Sequence, residues 1–364
     1  MKLSRAIIAF LGATAIVGAP PFYGWAQEEP ETTEEATPAE ADLPSPVEFY
    51  TNGVSLFENE EYTAAITAFD EAIRLRPDYA DAYMYRGAAY KALGELDDAI
   101  SDFNEAIELN PQLGRAYLLR AEVHYELGNA QQALSDAQLA LALDPTLGDA
   151  RLYQGLVALQ DGDSFTAISE FTAAIEQEPE QLAAYLLRGF AHDQEENDFA
   201  AIADFTYVLD RETENTIAYI GRGAAYYHQG ELSEAEADLS RALEINDELP
   251  YAYYNRSFIY ASQNRLGPAI DDLDTAINLL PDFTRAYLNR GLLLARQGND
   301  AAAVSDPHRA LELDPDLPAA YPGRAEIPLG RVREADAVND STQAIHLSPA
   351  TPILYQQPGT ALLA

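Results

Sequence analysis

The 364-residue chain is predicted to be all-α, a solenoid of about nine 34-residue helical hairpins, and three observations lead there. Stepping by 34 residues from Gly87 lands on Gly53, Ala121, Gly155, Gly189, Gly223, Ser257, Gly291, Ala325 and Gly359, a small residue every time. The same step from Ala99 gives Ala65, Ala133, Ala167, Ala201, Ala235, Ala269, Ala303 and Ala337, with no insertion or deletion. A fixed period of this length marks a solenoid, whose units each bury an apolar face against their neighbours. Within the unit from Ala80 to Leu113, apolar and small residues fall at spacings of three and four in two runs, Tyr83 to Leu93 and Leu96 to Leu109, as in amphipathic helices. Punctuation supplies the third observation. Gly94 separates the two runs, with Asp97 expected as an N-cap, and Pro111 closes the second. That proline recurs at Pro77, Pro145, Pro179, Pro281, Pro315 and Pro349.

Taken in order, residues 1–26 read as a secretory signal peptide. Lys2 and Arg5 form a basic start, Ala6 to Val17 an apolar run, and Gly24-Trp25-Ala26 a small-x-small cleavage site. An uncleaved anchor is the alternative, although the run is short for a membrane span. The mature chain is expected to be exported from a bacterium, periplasmic or secreted. The chain has no cysteine, so neither a lipid attachment site nor a disulfide bears on its compartment. Residues 27–45, rich in Glu, Thr, Ala and Pro, bury too little apolar surface to offset chain entropy and read as a disordered acidic spacer.

The repeats occupy 46–351. The first departs from the rest, with Asn52 in the Arg86 column and Glu60 in the Gly94 column, as suits a terminal unit. Towards the other end, Pro307 falls in the Phe103 column, Pro322 in the Met84 column and Pro328 in the Tyr90 column, all expected inside helices. Interior prolines cost about 3 kcal/mol each, so helical order is expected to weaken from about residue 300 through a degenerate last unit. Residues 352–364 begin a tenth unit, truncated or serving as a cap.

Two charged columns run through the repeats. Arginines stand at Arg86, Arg120, Arg188, Arg222, Arg256, Arg290 and Arg324, and acids at Asp102, Asp136, Glu170, Asp204, Asp238, Asp272, Asp306 and Asp340. The unit with Asn52 has Ala68 instead of the acid, and the unit with Gln154 has the longer Glu170. Because the columns change together within a unit, they are read as structural pairs inside each hairpin, Arg86 with Asp102 through Arg256 with Asp272, fixing helix register.

With Tyr83 where the pattern usually has Trp, and with Tyr90, Leu93-Gly94, Ala99, Phe103 and Pro111 matching, the unit resembles a tetratricopeptide repeat. The resemblance implies a right-handed superhelix whose first helices line a concave surface. On that surface it places one column of Tyr50, Met84, Leu118, Leu152, Leu186, Ile220, Tyr254 and Leu288, and another containing Leu156, Phe190, Phe258 and Leu292. This stripe is either additional core or a groove for an apolar segment of a partner protein, with Arg115 and Arg285 as polar anchors at its rim.

Composition and motifs exclude other classes. Sixty acidic against 22 basic residues give a net charge of −38, a field that repels nucleic acid and anionic lipid. No two of His124, His192, His228, His308 and His346 stand at i, i+4, so a helix-borne zinc pair is absent. His124 and His192 replace Tyr90 in their units and read as core or groove-edge side chains. Asp161-Gly162-Asp163 and Asp314-Pro315-Asp316 do not continue as EF-hand loops and read as solvated turn acids. There is no phosphate-binding glycine loop, since Gly221 and Gly223 fall inside a helix, and no carboxylate pair stands out from so acidic a background. No cofactor, metal or catalysis is expected. The chain reads as a non-catalytic scaffold or assembly factor of the cell envelope that binds another protein or peptide segment. The alternative is a structural module that self-associates through its C-terminal end; an enzyme or metal-dependent protein is the remote one.

Overall fold

The structure, a computed structural model, describes residues 44–314. These residues form sixteen α-helices and no strand. In pairs, they are α1 Pro46–Glu58 with α2 Tyr62–Leu75, α3 Ala80–Ala92 with α4 Leu96–Leu109, α5 Gly114–Glu126 with α6 Ala130–Leu143, and α7 Asp149–Asp161 with α8 Ser164–Gln177. There follow α9 Leu182–Gln194 with α10 Asp198–Leu209, α11 Thr216–Gln229 with α12 Leu232–Ile245, α13 Pro250–Ser262 with α14 Leu266–Leu279, and α15 Thr284–Gln297 with α16 Asp300–Leu313. The chain divides within α9 into two compact units, one reaching Ala191 and the other beginning at His192. The signal peptide expected over 1–26, nearly all of the expected acidic spacer and the repeat positions expected beyond residue 314 lie outside the described residues.

Local chemistry sets the helix ends. Ser45 caps α1 reciprocally: its hydroxyl accepts from the Glu48 N–H and the Glu48 carboxylate accepts from the Ser45 N–H, with Pro46 at the first helical position. The sharp stops come from proline. Arg76, Asn110, Asp144, Glu178 and Leu280 each precede one and are held extended, with φ between −128° and −138° and ψ between 87° and 97°. The turn inside each hairpin needs one residue in the left-handed region. Gly94 supplies it at φ +78°, while Glu60, Glu196 and Asn264 adopt it at +63°, +55° and +58° despite their side chains. Asp97 is not the N-cap of α4; that position is Glu95, which makes no side-chain cap, and Asp97 lies in the first turn where its charge suits the helix dipole.

Within each hairpin the small column of the first helix meets a large residue of the second. A methyl group at Gly53 would fall 2.5 Å from the ring of Phe69, one at Gly87 2.9 Å from Phe103, and one at Gly155 2.4 Å from Phe171. These rings are fully buried, as are Ala65, Ala99, Ala133 and Ala167. Where the first helix carries a Cβ the ring is gone: Ala121 is matched by Ala137, and Ser257 by Leu273.

Helix α16 runs unbroken from Asp300 to Leu313 through Pro307, where weakening order is expected. Pro307 takes the place of the column's phenylalanine, and a Cβ on Gly291 would lie 2.8 Å from its Cδ. The proline ring therefore packs as the aromatic ring does elsewhere, and packing against α15 offsets the hydrogen bond that its missing N–H costs.

Candidate functional site

The charged columns form a ladder whose reach is longer than a hairpin. Arg86 donates from Nε to Asp102 Oδ2 at 2.8 Å and from Nη2 to Oδ1 at 2.7 Å. Arg120–Asp136, Arg222–Asp238, Arg256–Asp272 and Arg290–Asp306 repeat this two-point bond at 2.7–2.8 Å. The remaining guanidinium nitrogen, Nη1, turns back to the second helix of the preceding hairpin. It donates to Asp70 from Arg86, Asn104 from Arg120, Thr172 from Arg188, Thr206 from Arg222, Ser240 from Arg256 and Asp274 from Arg290. Arg86, Arg120, Arg222 and Arg256 thus pair inside their hairpins, and each adds a link to the previous hairpin. Arg188 and Asp204 belong to different units. In the hairpin that has Gln154, Arg151 one turn earlier takes over and reaches Glu170 at 3.1 Å.

Tyrosines of the Tyr83 column flank the guanidinium planes, with Arg86, Arg120, Arg222, Arg256 and Arg290 centred 5.3–5.7 Å from Tyr83, Tyr117, Tyr219, Tyr253 and Tyr287. Burial pushes the carboxyls of Asp102 and Asp272 up, against the pull of their arginines. The ladder is thus a desolvated framework and offers no open row of cations to a ligand.

The apolar stripe is largely core. Met84, Leu118, Leu152, Leu156, Leu186, Phe190, Tyr254, Phe258 and Leu288 are at most 9% exposed, while Ile220 and Leu292 are half-buried. The reason is visible where first helices of successive hairpins touch, as α3 with α5, α5 with α7 and α11 with α13. Their facing side chains fill the seam. At the proposed rim, Arg285 is exposed and Arg115 half-buried.

Two polar clusters interrupt the stripe. In the first unit, Lys91 is bonded to the Glu122 carboxylate, and Gln181 Nε2 donates to Asp149 Oδ1 at 2.5 Å. Burial, then the neighbouring Glu122 and Glu178 carboxylates, push the Asp149 carboxyl up to about 6, against the hydrogen bond from Gln181 and the charge of Lys91. A raised carboxyl favours the native state fully below the ordinary value of 3.8, and this contribution is lost as pH rises through about 6. Two pH units correspond to about 3 kcal/mol. Asp149→Asn, which keeps an acceptor for Gln181 and removes the charge, is expected to raise the urea midpoint at pH 8 and to have little effect at pH 4. A gain equal at both values would refute this account.

In the second unit, Asp193 in the last turn of α9, Asp198 at the start of α10 and His228 in the last turn of α11 converge. His228 Nδ1 lies 3.3 Å from Asp193 Oδ1 and 3.4 Å from Asp198 Oδ1. Neither oxygen accepts a hydrogen bond. The close contact with the Asp193 carboxylate, opposed by burial and aided by both carboxylate charges, raises the imidazole pKa. The three residues sit at the edge of a cavity of about 500 Å³ whose wall includes Tyr227, Phe258, Asn255 and Ser262. Tyr227 Oη and Ser262 Oγ are 3.2 Å apart.

The other sequence candidates resolve structurally. His124 lies 3.9 Å from Asp136 beside the ladder, its pKa lowered by burial against that carboxylate's pull. Asp163 caps α8, accepting from the N–H of Thr166 at 3.0 Å and its hydroxyl at 2.6 Å; these bonds hold its carboxyl below the usual range.

A tetratricopeptide repeat profile matches residues 50–114, 89–148 and 259–318, and a second matches 216–249. Together they cover over half of the sequence, and the chain belongs to the tetratricopeptide repeat family. Among solved structures, a chain of the APC/C hetero-tetramer Cut9-Hcn1 is similar with a TM-score of 0.61 at 16% identity, over 77% of this chain and 55% of that one. This chain therefore spans about half the length of that relative. A tetratricopeptide repeat protein from Parabacteroides merdae gives 0.52 at 20% identity, over 65% of this chain and 93% of that one. At these identities the likeness is one of fold, the all-α tetratricopeptide solenoid. No curated protein matches the sequence. No helix among the described residues is long and apolar enough to cross a membrane.

Proposed function

We propose that this chain is a non-catalytic protein-binding scaffold or assembly factor of the cell envelope. It holds a segment of a partner protein against the first helices α11 and α13. The observation that carries this reading is the cavity beside them, where Tyr227 and Phe258 supply aromatic surface and Asn255 and Ser262 supply polar contacts. A cleft with an aromatic wall and a few placed polar groups suits side chains of an extended or helical segment. The buried stripe cannot grip a partner unless the hairpins separate. The net charge of −38 favours a basic partner on electrostatic grounds. The similar Cut9-Hcn1 chain is found in a hetero-tetramer, in keeping with a role in assembly. The leader-like first 26 residues support export.

The test is crosslinking and mass spectrometry on the protein expressed in its own cells, beside a Tyr227→Ala, Asn255→Ala variant with an unchanged circular dichroism spectrum. The partner recovered by the native chain should be lost from the variant. A synthetic peptide of the crosslinked segment should bind the native chain alone. Equal recovery by both proteins would overturn the assignment, and recovery of nothing but the chain itself would replace a scaffold with a self-associating module.

A further inference from the structure

The convergence of Asp193, Asp198 and His228 goes beyond a docking surface and does not depend on one. We propose that these three residues form a binding site for a first-row divalent transition cation of the zinc class, with its remaining coordination position open to the cavity.

The first support is distance. Donors bound at 2.0–2.1 Å around a tetrahedral ion stand about 3.3–3.4 Å apart. The imidazole Nδ1 lies 3.3 Å and 3.4 Å from the two carboxylate oxygens, and all three donor atoms lie within 4.8 Å of one another. The second, independent support is burial without a donor. Asp193 is only 9% exposed, and its Oδ1, like that of Asp198, accepts no hydrogen bond. Two inward-facing carboxylate oxygens left in this state are costly, and a bound cation satisfies both at once.

The donor set selects the ion. One imidazole nitrogen with two carboxylates suits zinc and its first-row neighbours. Calcium takes six to eight oxygens and magnesium a near-octahedral oxygen shell, which three side chains including an imidazole do not supply. The cavity leaves room for water or a donor from a bound segment at the open position. The backbone brings the two aspartates onto one edge: they flank the α9–α10 turn, where Glu196 stands at φ +55°.

The experiment uses the full chain, stripped with a chelator and titrated with zinc chloride by calorimetry, with metal content measured after gel filtration. One zinc per chain is expected, retained against excess calcium. Cobalt(II) substituted for zinc should give the visible absorption of a tetrahedral site. Asp193→Asn and His228→Ala should each lower zinc affinity by at least about 100-fold, since even residues supporting a ligand contribute 10–100-fold. His308→Ala, at an exposed histidine 3.6 Å from Glu312, should leave it unchanged. His228 is at the cavity edge with a side chain 26% exposed, so its variant remains informative if the buried Asp193→Asn fails to fold. Absence of stoichiometric zinc, or binding equal in the native chain and the folded His228→Ala variant, overturns the site. In that case the imidazole serves only as a counter-ion to the two aspartates.

Discussion

Phe171→Ala is expected to destabilise the first unit by about 3–5 kcal/mol, the usual cost of emptying a fully buried aromatic site. Its cause is tested through Gly155, whose added methyl would lie 2.4, 2.6 and 2.9 Å from three ring carbons of Phe171. No rotation of a ring enclosed on every side relieves contacts that short, so Gly155→Ala alone should cost about 1–3 kcal/mol. Combined with Phe171→Ala, the same methyl enters vacated space and should cost less than it does alone. The double variant then falls short of the sum of the singles, as expected for residues that share one cavity. Urea unfolding monitored by circular dichroism gives all three values, and strict additivity would refute the column-against-column packing. The chain itself contains the substituted pairs Ala121 with Ala137 and Ser257 with Leu273.

Removing one member of the ladder should have a comparable effect. Asp272→Ala leaves the Arg256 guanidinium, on a side chain 18% exposed, with Ser240 as its remaining ladder partner. The expected loss is about 3–5 kcal/mol, the cost of stranding a buried charge. Replacing both residues by apolar ones, Arg256→Met with Asp272→Leu, should recover most of it, because the ion pair's desolvation cost disappears together with its attraction. The exposed pair Arg241–Glu244 is the control: Glu244→Ala should leave stability almost unchanged and lose even that small effect in high salt. Equal losses in Asp272→Ala and Glu244→Ala would show that the ladder is not a buried framework.

The hairpins were legible in the sequence because their causes repeat. A small residue recurs every 34 positions since two backbones approach there, and an arginine recurs because its aspartate does. The backward arm of the ladder was not legible. Its acceptors, Asp70, Asn104, Thr172, Thr206, Ser240 and Asp274, share a position and a hydrogen-bonding oxygen but no residue type. The stripe from Met84 to Leu288 shows the opposite difficulty. Apolar residues at helical spacing look alike whether the next helix covers them or leaves them bare, and contact between first helices decided it. The Asp193–Asp198–His228 cluster escaped a search at i, i+4 because two hairpins contribute to it. His228 stands 35 residues after Asp193, one more than the period.

Arg86, Arg120, Arg222, Arg256 and Arg290 each find a carboxylate sixteen residues ahead and a second acceptor sixteen residues behind. Both distances are measured from the arginine and neither refers to its place in the array. Recombination that adds or removes whole copies therefore hands such an arginine a forward and a backward partner at once, with no compensating change at the junction. An insertion of a few residues inside a hairpin displaces two such partners together. Heritable change in the length of this protein is thus channelled into steps of 34 residues, while the donor sets at single positions, such as Asp193 and His228, are free to diverge from copy to copy.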